Sequence, residues 1–215
     1  MTSMETETER VRSLSLLPPV IWDLQHRSGV WRRRLAADDE CRRYATLATV
    51  IEAGGKTGTT GTLLDLGCAH GTLLDHLDPE WHPGYLGIDI SPAAIAAGQR
   101  AHAGSGARFV AADIRSWTGE TTFDSIAFNE ILYYFARPLS LVRRYAHWLS
   151  PGGAIYVSMY QPVSWRQPVM RARINQIWRG LADEFDLVKS VSVRDYKDAE
   201  EFRIGQISDP RHPIR

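Results

Sequence analysis

Asp65, Asp89, Asp113 and the pair Asn129-Glu130 are the residues of this chain best placed to do chemistry, because each sits in or just after a short apolar run. Asp65 lies inside TLLDLGCAHG, Thr62 to Gly71, a run that ends in a turn flanked by Gly67 and Gly71. Asp89 closes YLGID, 24 residues after Asp65, and Asp113 follows the run Ala107 to Ala111. A carboxylate at the end of a second strand suits a ribose, because it can accept hydrogen bonds from both hydroxyls. Asp113, one strand further out, is placed to accept from the amino group of an adenine. One such aspartate alone reads equally well as a turn or helix cap; three at successive strand ends point to a nucleoside-like ligand. Gly67 and Gly71 let the backbone approach that ligand with no Cβ in the way. A helix starting at Gly71 would add free N–H groups and a partial positive charge.

The spacing of the turn narrows the ligand. A dinucleotide turn reads G-x-G-x-x-G and sets the pyrophosphate on the helix start. Here the order is G-x-A-x-G, and Asp65 stands two positions before the first glycine. A carboxylate there repels a pyrophosphate and favours a cation. Ribose, adenine and a positive centre together describe S-adenosylmethionine.

The elements that must hold these residues alternate. Strands are expected at Leu63 to Leu66, Tyr85 to Asp89, Ala107 to Ala111, Phe123 to Phe128 and Ala154 to Met159. Helices are expected at Asp38 to Ala53, Gly71 to Leu77, Pro92 to about His102 with Ser91 as cap, and Pro138 to Leu149. The first helix carries Cys41, Tyr44, Leu47, Ala48 and Ile51 on one face, and Pro151-Gly152-Gly153 reads as a turn. Such alternation implies a parallel sheet with helices on both faces and a ligand beyond the carboxyl ends of the strands. The ending departs from it. After a helix at Val169 to Glu184, Leu187 to Val193 and Glu201 to Ile207 read as strands too close for a helical crossover, hence antiparallel.

The segments LLDLGCAHG, YLGIDIS, FVAADI, FDSIAFNEILYYF and LSPGGAIYVSMY together resemble the class I S-adenosylmethionine-dependent methyltransferases, over Thr62 to Met159 and most of the rest. The resemblance implies a Rossmann-like three-layer α/β sandwich, with a mostly parallel seven-stranded sheet and an antiparallel C-terminal strand. It implies that Asp65, Gly67, Cys68, Ala69 and Gly71 surround the methionine part of the cofactor. Asp89 matches the ribose acid, with Ile90 beside the adenine; Asp113 and Ile114 match the adenine pair. Asn129 matches the residue whose backbone lies near the cofactor amine or sulfonium. Ala69 stands where the family usually has glycine. NEILYYF, and WRRRLAADDECRRYATLATVIE before the core, are similar to the nodulation N-methyltransferase branch, which acts on an amino sugar.

Methyl transfer asks mainly that a nucleophile be held in line with the methyl carbon; a hydroxyl acceptor also needs a base. Glu130 is the base candidate, with Tyr133 and Tyr134 beside it to line the acceptor pocket or hold an amine by cation–π contact. Tyr160, Gln161, Trp165 and Gln167 follow the fifth strand and form a candidate acceptor wall. Trp22, His26 and Trp31 mark a candidate lid, with His26 a second candidate base. Cys68 reads as a small packing residue rather than a nucleophile.

Composition bounds the rest. Lys+Arg and Asp+Glu are both 25 in 215 residues. That balance argues against nucleic acid held by phosphate contacts, and the run Arg32-Arg33-Arg34 reads as a solvated face. No apolar run approaches the ~20 residues of a membrane span. Two cysteines, Cys41 and Cys68, form no disulfide framework and lack metal-ligand spacing, so a reducing, cytoplasmic setting and no metal are expected. Residues 1–12 read as a disordered tail, 13–61 as a helical lid and first helix, and 62–215 as the methyltransferase domain. The favoured reading is methyl transfer to nitrogen or oxygen of a small molecule, such as an amine, amino sugar or natural-product intermediate, by a monomer or homodimer. The alternatives are a macromolecule-modifying methyltransferase, and a cyclase or binding module that keeps the fold and the cofactor without transfer.

Overall fold

A computed structural model describes residues 18–54, 61–161, 167–194 and 201–208. The expected disordered tail at 1–12 and Trp165 lie outside these. Strands β1 (Leu63–Leu66), β2 (Tyr85–Asp89), β3 (Arg108–Ala111), β4 (Phe123–Asn129) and β5 (Leu149–Gln161) pair in parallel. With β6 (Asp186–Arg194) and β7 (Glu201–Ser208) they form one seven-stranded sheet, ordered β3-β2-β1-β4-β5-β7-β6. Strand β7 is antiparallel to both of its neighbours, β5 and β6. The chain runs outward from β1 to β3 and returns to β4 on the other side of β1. The order therefore reverses between β1 and β4, and the crevice at their carboxyl ends is where such sheets bind ligands.

Among the described residues six helices flank the sheet: α1 (Pro19–Arg27), α2 (Val30–Leu35), α3 (Asp38–Gly54), α4 (Pro92–Ala101), α5 (Pro138–Ala146) and α6 (Pro168–Glu184). The central strands are buried on both sides, so they read as continuous apolar runs rather than alternations. Leu64, Leu66, Phe128 and Val157 join one core with α5 and α6, through Leu141, Tyr145, Ile174 and Trp178. Their neighbours Leu63, Ala127 and Tyr156 face the other way, against Leu47 and Ile51 of α3. That two-residue period places alternate side chains on opposite faces of the sheet. Ser91 caps α4 as expected: its Oγ accepts from the Ala94 N–H at 3.1 Å, with Pro92 in the first turn.

Three expectations need correction. The helix expected at Gly71 to Leu77 is absent; residues 71–73 are a turn and Leu74–His76 a single 3-10 turn. Leu73, Leu74 and Leu77 are buried, and Pro79 draws Asp78 to an extended ψ of 135°, so a helix has no length in which to form. Second, β5 begins at Leu149, and Pro151-Gly152-Gly153 lies within it. Gly152 there has φ +77°, and the pairing with β4 slips between Phe123 and Ser125. Third, the buried face of α3 includes Glu40 and Arg43, while Cys41 is only half-buried. Among the described residues no helix is long and apolar enough to cross a membrane.

Gly71 has φ +88°, and a Cβ built there would lie 2.9 Å from the Phe109 ring and from the His102 imidazole. Its glycine thus lets the turn close on the protein itself. Gly71→Ala should combine left-handed strain with overpacking and lower folding free energy by about 2–4 kcal/mol. Urea denaturation reads this as a lower midpoint; an unmoved midpoint would mean that the turn can relax.

Candidate active site

A cavity of about 400 Å³ opens at the carboxyl ends of β1, β2 and β4, walled by α1 and α2. It brings together Gly67, Ala69, Asp89, Ile90, Asp113 and Ile114 on one side. On the other it gathers Asn129, Glu130, Tyr133, Tyr134, Tyr160 and Gln167, and over both it places Trp22, His26 and Trp31. Among the described residues, Asp65, Cys68, Gly71 and Gln161 do not line it.

The first side is fixed by Asp89. Its Oδ2 accepts from the Ala69 N–H at 3.0 Å and its Oδ1 from the Ser91 N–H at 2.9 Å. A carboxylate has about four acceptor positions, so two remain for a diol. Burial pushes its pKa up, against the pull of the Ser91 N–H, the His26 ring and the Ala69 N–H. Ala69 itself is left-handed, φ +50°. That conformation is why glycine is the usual residue there. Asp113 is already engaged: Arg115 donates to it from its N–H at 2.8 Å and from its guanidinium at 2.5–2.9 Å, and Arg115 also lines the cavity. Asp65 lies behind the turn, 1% exposed, accepting from the Tyr85 hydroxyl at 2.7 Å through Oδ2. Its Oδ1 is buried with no hydrogen-bond partner. Cys68 packs against Gly87, where a Cβ would meet its Sγ at 2.7 Å, and burial pushes its thiol pKa well up.

The second side is a buried polar network. Glu130 has φ +57°, which turns its carboxylate back onto β5. Oε1 accepts from Ser158 Oγ at 2.9 Å; Oε2 accepts from the Tyr160 N–H and the Tyr133 hydroxyl, each at 3.0 Å. Burial raises its pKa, opposed by the positive charge of Arg43. Arg43 is 1% exposed and donates to Asn129 Oδ1, to Ser158 Oγ at 3.4 Å and to Glu40 Oε2 at 2.5–2.9 Å. Glu40 and Arg43 were not legible as site residues, although the i, i+3 spacing that puts them on the stripe of Tyr44 and Leu47 was present. Aromatic rings close the space above: Tyr134 meets Trp22 at 4.8 Å and Tyr133 at 4.6 Å, and Tyr133 meets Tyr160 at 5.3 Å. Ala69 and Glu130 are the non-glycine residues with positive φ among the described residues, and both line the cavity.

Residues 34–201 match the protein family described as a methyltransferase domain. The chain belongs to that family. Its relatives include a trans-aconitate 2-methyltransferase of Methylobacterium nodulans, 33% identical over 57% of this chain and 46% of that one. Nodulation protein S of Sinorhizobium fredii is 30% identical over 56% of this chain and 60% of that one. The chain therefore spans about half of the length of these curated relatives. The fold is like that of the N-methyltransferase NodS of Bradyrhizobium japonicum WM9 in complex with S-adenosyl-L-homocysteine, with TM-score 0.64, 22% identity, and 83% of this chain and 96% of that one covered. The methyl donor of these methyltransferases is S-adenosylmethionine. The residues present fit it: Asp89, at the end of β2 and lining the cavity, is a carboxylate with open acceptor positions.

Burial holds the Asp65 pKa at about 7, against an ordinary 3.8, although the Tyr85 hydroxyl pulls it down. Below pH 3.8 both the folded and the unfolded chain carry this proton, and its contribution to stability is complete. As pH rises the unfolded chain releases the proton first, so that contribution is lost progressively up to about 7. The cofactor-free chain should lose at most ~1.4 kcal/mol per pH unit from this group across that interval. Denaturation of Asp65→Asn over the same pH range should give a flatter profile, and a parallel profile would remove Asp65 as the source.

Proposed function

We propose that this methyltransferase transfers a methyl group from S-adenosylmethionine to the nitrogen of a small-molecule amine. The observation that carries this reading is the cage around Glu130: a half-buried carboxylate beneath Tyr133, Tyr134, Tyr160 and Trp22. Aromatic faces and a carboxylate attract an amine or ammonium group. The negative charge of Glu130, unlike that of Glu40 paired with Arg34 and Arg43, would disfavour a carboxylate acceptor such as the one in the name of the trans-aconitate relative. The names of the NodS neighbours, N-methyltransferase and nodulation protein S, agree with a nitrogen acceptor.

Bound in the cavity, S-adenosylmethionine supplies an electrophilic methyl on a sulfonium that leaves as a thioether. Asp89 would hold the ribose hydroxyls with the acceptor positions its two backbone contacts leave open. Ile90 and Ile114 would flank the adenine; Arg115 fills the acceptor positions of Asp113, so the adenine amino group would meet that carboxylate only in exchange for an Arg115 donor. Glu130 keeps one acceptor position on Oε1 for an acceptor N–H, and its raised pKa suits it to take the proton lost as the C–N bond forms. Tyr133 and Tyr160 hold that carboxylate in place. Trp22, His26 and Trp31 exclude water above the reacting atoms, carried by residues 18–54, the described part of the lid and first helix read at 13–61.

A panel of amines and hydroxyl compounds, read by mass spectrometry for a one-methyl gain, tests the acceptor class; methylation of hydroxyl compounds alone would defeat it. Asp89→Ala should weaken S-adenosylhomocysteine binding by ~1–3 kcal/mol in calorimetry, by stranding the partners of a buried carboxylate. Glu130→Gln should lower kcat at least ~tenfold with little change in cofactor affinity. Equal turnover in that variant would leave Glu130 a structural residue.

A further inference from the structure

A second groove, about 850 Å³, lies between the lid helices α1–α2 and α4. Alanines of α4 form much of its lining, and its rim carries Arg27, Arg32 and Arg33 from the lid side and Arg100 from α4. Ser28, His26 and His70 complete its polar lining, and no carboxylate among the described residues lines it. In a chain whose formal charge is zero, this is a local concentration of one sign. Two exposed arginines elsewhere pair with acids: Arg34 with Asp39 and Glu40, and Arg143 with Glu184. Arg27 is paired with Asp23 at 2.6 Å, but Arg32, Arg33 and Arg100 have no acidic partner among the described residues.

Like charges brought together from two elements repel, and the small side chains between them leave space rather than relief. Guanidinium groups bind phosphate oxygens through paired N–H donors, which turns that repulsion into attraction. We propose that this groove is a binding site for a small oligoanion of the phosphate class, gripped between Arg32 and Arg33 of the lid and Arg100 of α4. The run of three arginines that reads as a solvated face in sequence thus has two members facing a groove. His26 lines both the groove and the methyl-transfer cavity, and the same lid carries Trp22. An anion bridging the lid to α4 favours the closed lid. Anion and cofactor then strengthen each other's binding, reciprocally by linkage.

Inorganic pyrophosphate is the probe, titrated calorimetrically into the full chain at constant ionic strength. Pyrophosphate should bind, and should tighten S-adenosylhomocysteine binding several-fold compared with chloride. Arg32→Ala and Arg100→Ala change exposed residues and should leave S-adenosylhomocysteine binding without pyrophosphate unchanged. Each should weaken pyrophosphate at least ~tenfold, the worth of one charged hydrogen bond. Equal pyrophosphate affinity in parent and variants would overturn the site, as would an effect that chloride reproduces. A short single-stranded oligonucleotide binding more tightly than pyrophosphate would overturn the small-anion assignment. Competition separates two sources of the anion. Pyrophosphate that competes with a methylated acceptor marks the groove as the seat of the acceptor's own phosphate. Pyrophosphate that leaves acceptor affinity alone marks a separate ligand. Loss of S-adenosylhomocysteine binding under every condition would count against the methyltransferase reading, whereas this proposal fails only in the pyrophosphate arms.

Discussion

One buried carboxylate, Asp89, holds the side of the cavity at β1 and β2 together. It takes the Ala69 N–H from the turn after β1 and the Ser91 N–H from the start of α4, so it fixes two elements against each other. The left-handed Ala69 costs ~1–2 kcal/mol. A hydrogen bond from its N–H to a charged group contributes about 1.5–3 kcal/mol. The contact therefore outweighs the strain, and the turn keeps its shape without the third glycine. Helix α1 fastens at the same helix start: Asp23 accepts from Ser91 Oγ at 2.9 Å and from the Ala93 N–H at 3.1 Å. The turn, α4 and α1 are thus registered by two carboxylates within one helical turn.

The other half depends on a different constraint, the burial of Arg43. A buried guanidinium is tolerable only when its donors are met and its charge is paired. Glu40, three residues earlier on α3, supplies the charge; Asn129 and Ser158 supply further acceptors at the ends of β4 and β5. Ser158 in turn donates to Glu130. The chain of contacts explains why Glu130 adopts an unfavourable φ: the turn aims its carboxylate at three donors that would otherwise be unmet. Strained residues persist where their surroundings over-determine them, and here one stands in each half of the cavity.

The strands and the acids at their ends were legible because doubly buried strands read as short apolar runs and the carboxylates break the pattern where each ends. The helix after Gly71 was misread because Leu73, Leu74 and Leu77 carry a helical rhythm, while the competing restriction from Pro79 lies outside it. Arg43 and Glu40 were passed over for a related reason. A stripe read only for apolar residues leaves out the charged pair that shares it, and charge in a helix usually means solvent. Ala69 was visible as a departure from glycine, but only its φ gives the reason.

The two halves are built from different materials. The side at β1 and β2 is made of backbone, turn and the carboxylates of Asp89 and Asp113. The Glu130 side is made of side chains from α3 and the ends of β4 and β5, with Trp22 of α1 over them. Helix α1 buries none of its residues fully, and Val20 and Leu24 are exposed on it at 67% and 61%. Its position rests on Asp23 at α4 and on Trp22 against Tyr134. Tyr134 adjoins Tyr133, which bonds to Glu130. A shift of the rings around Glu130 therefore reaches α1 through one ring contact, while Asp89 keeps its two backbone contacts. The Glu130 side can vary in such a molecule without disturbing the Asp89 side, because the two share little beyond the helices α1 and α2 that wall both.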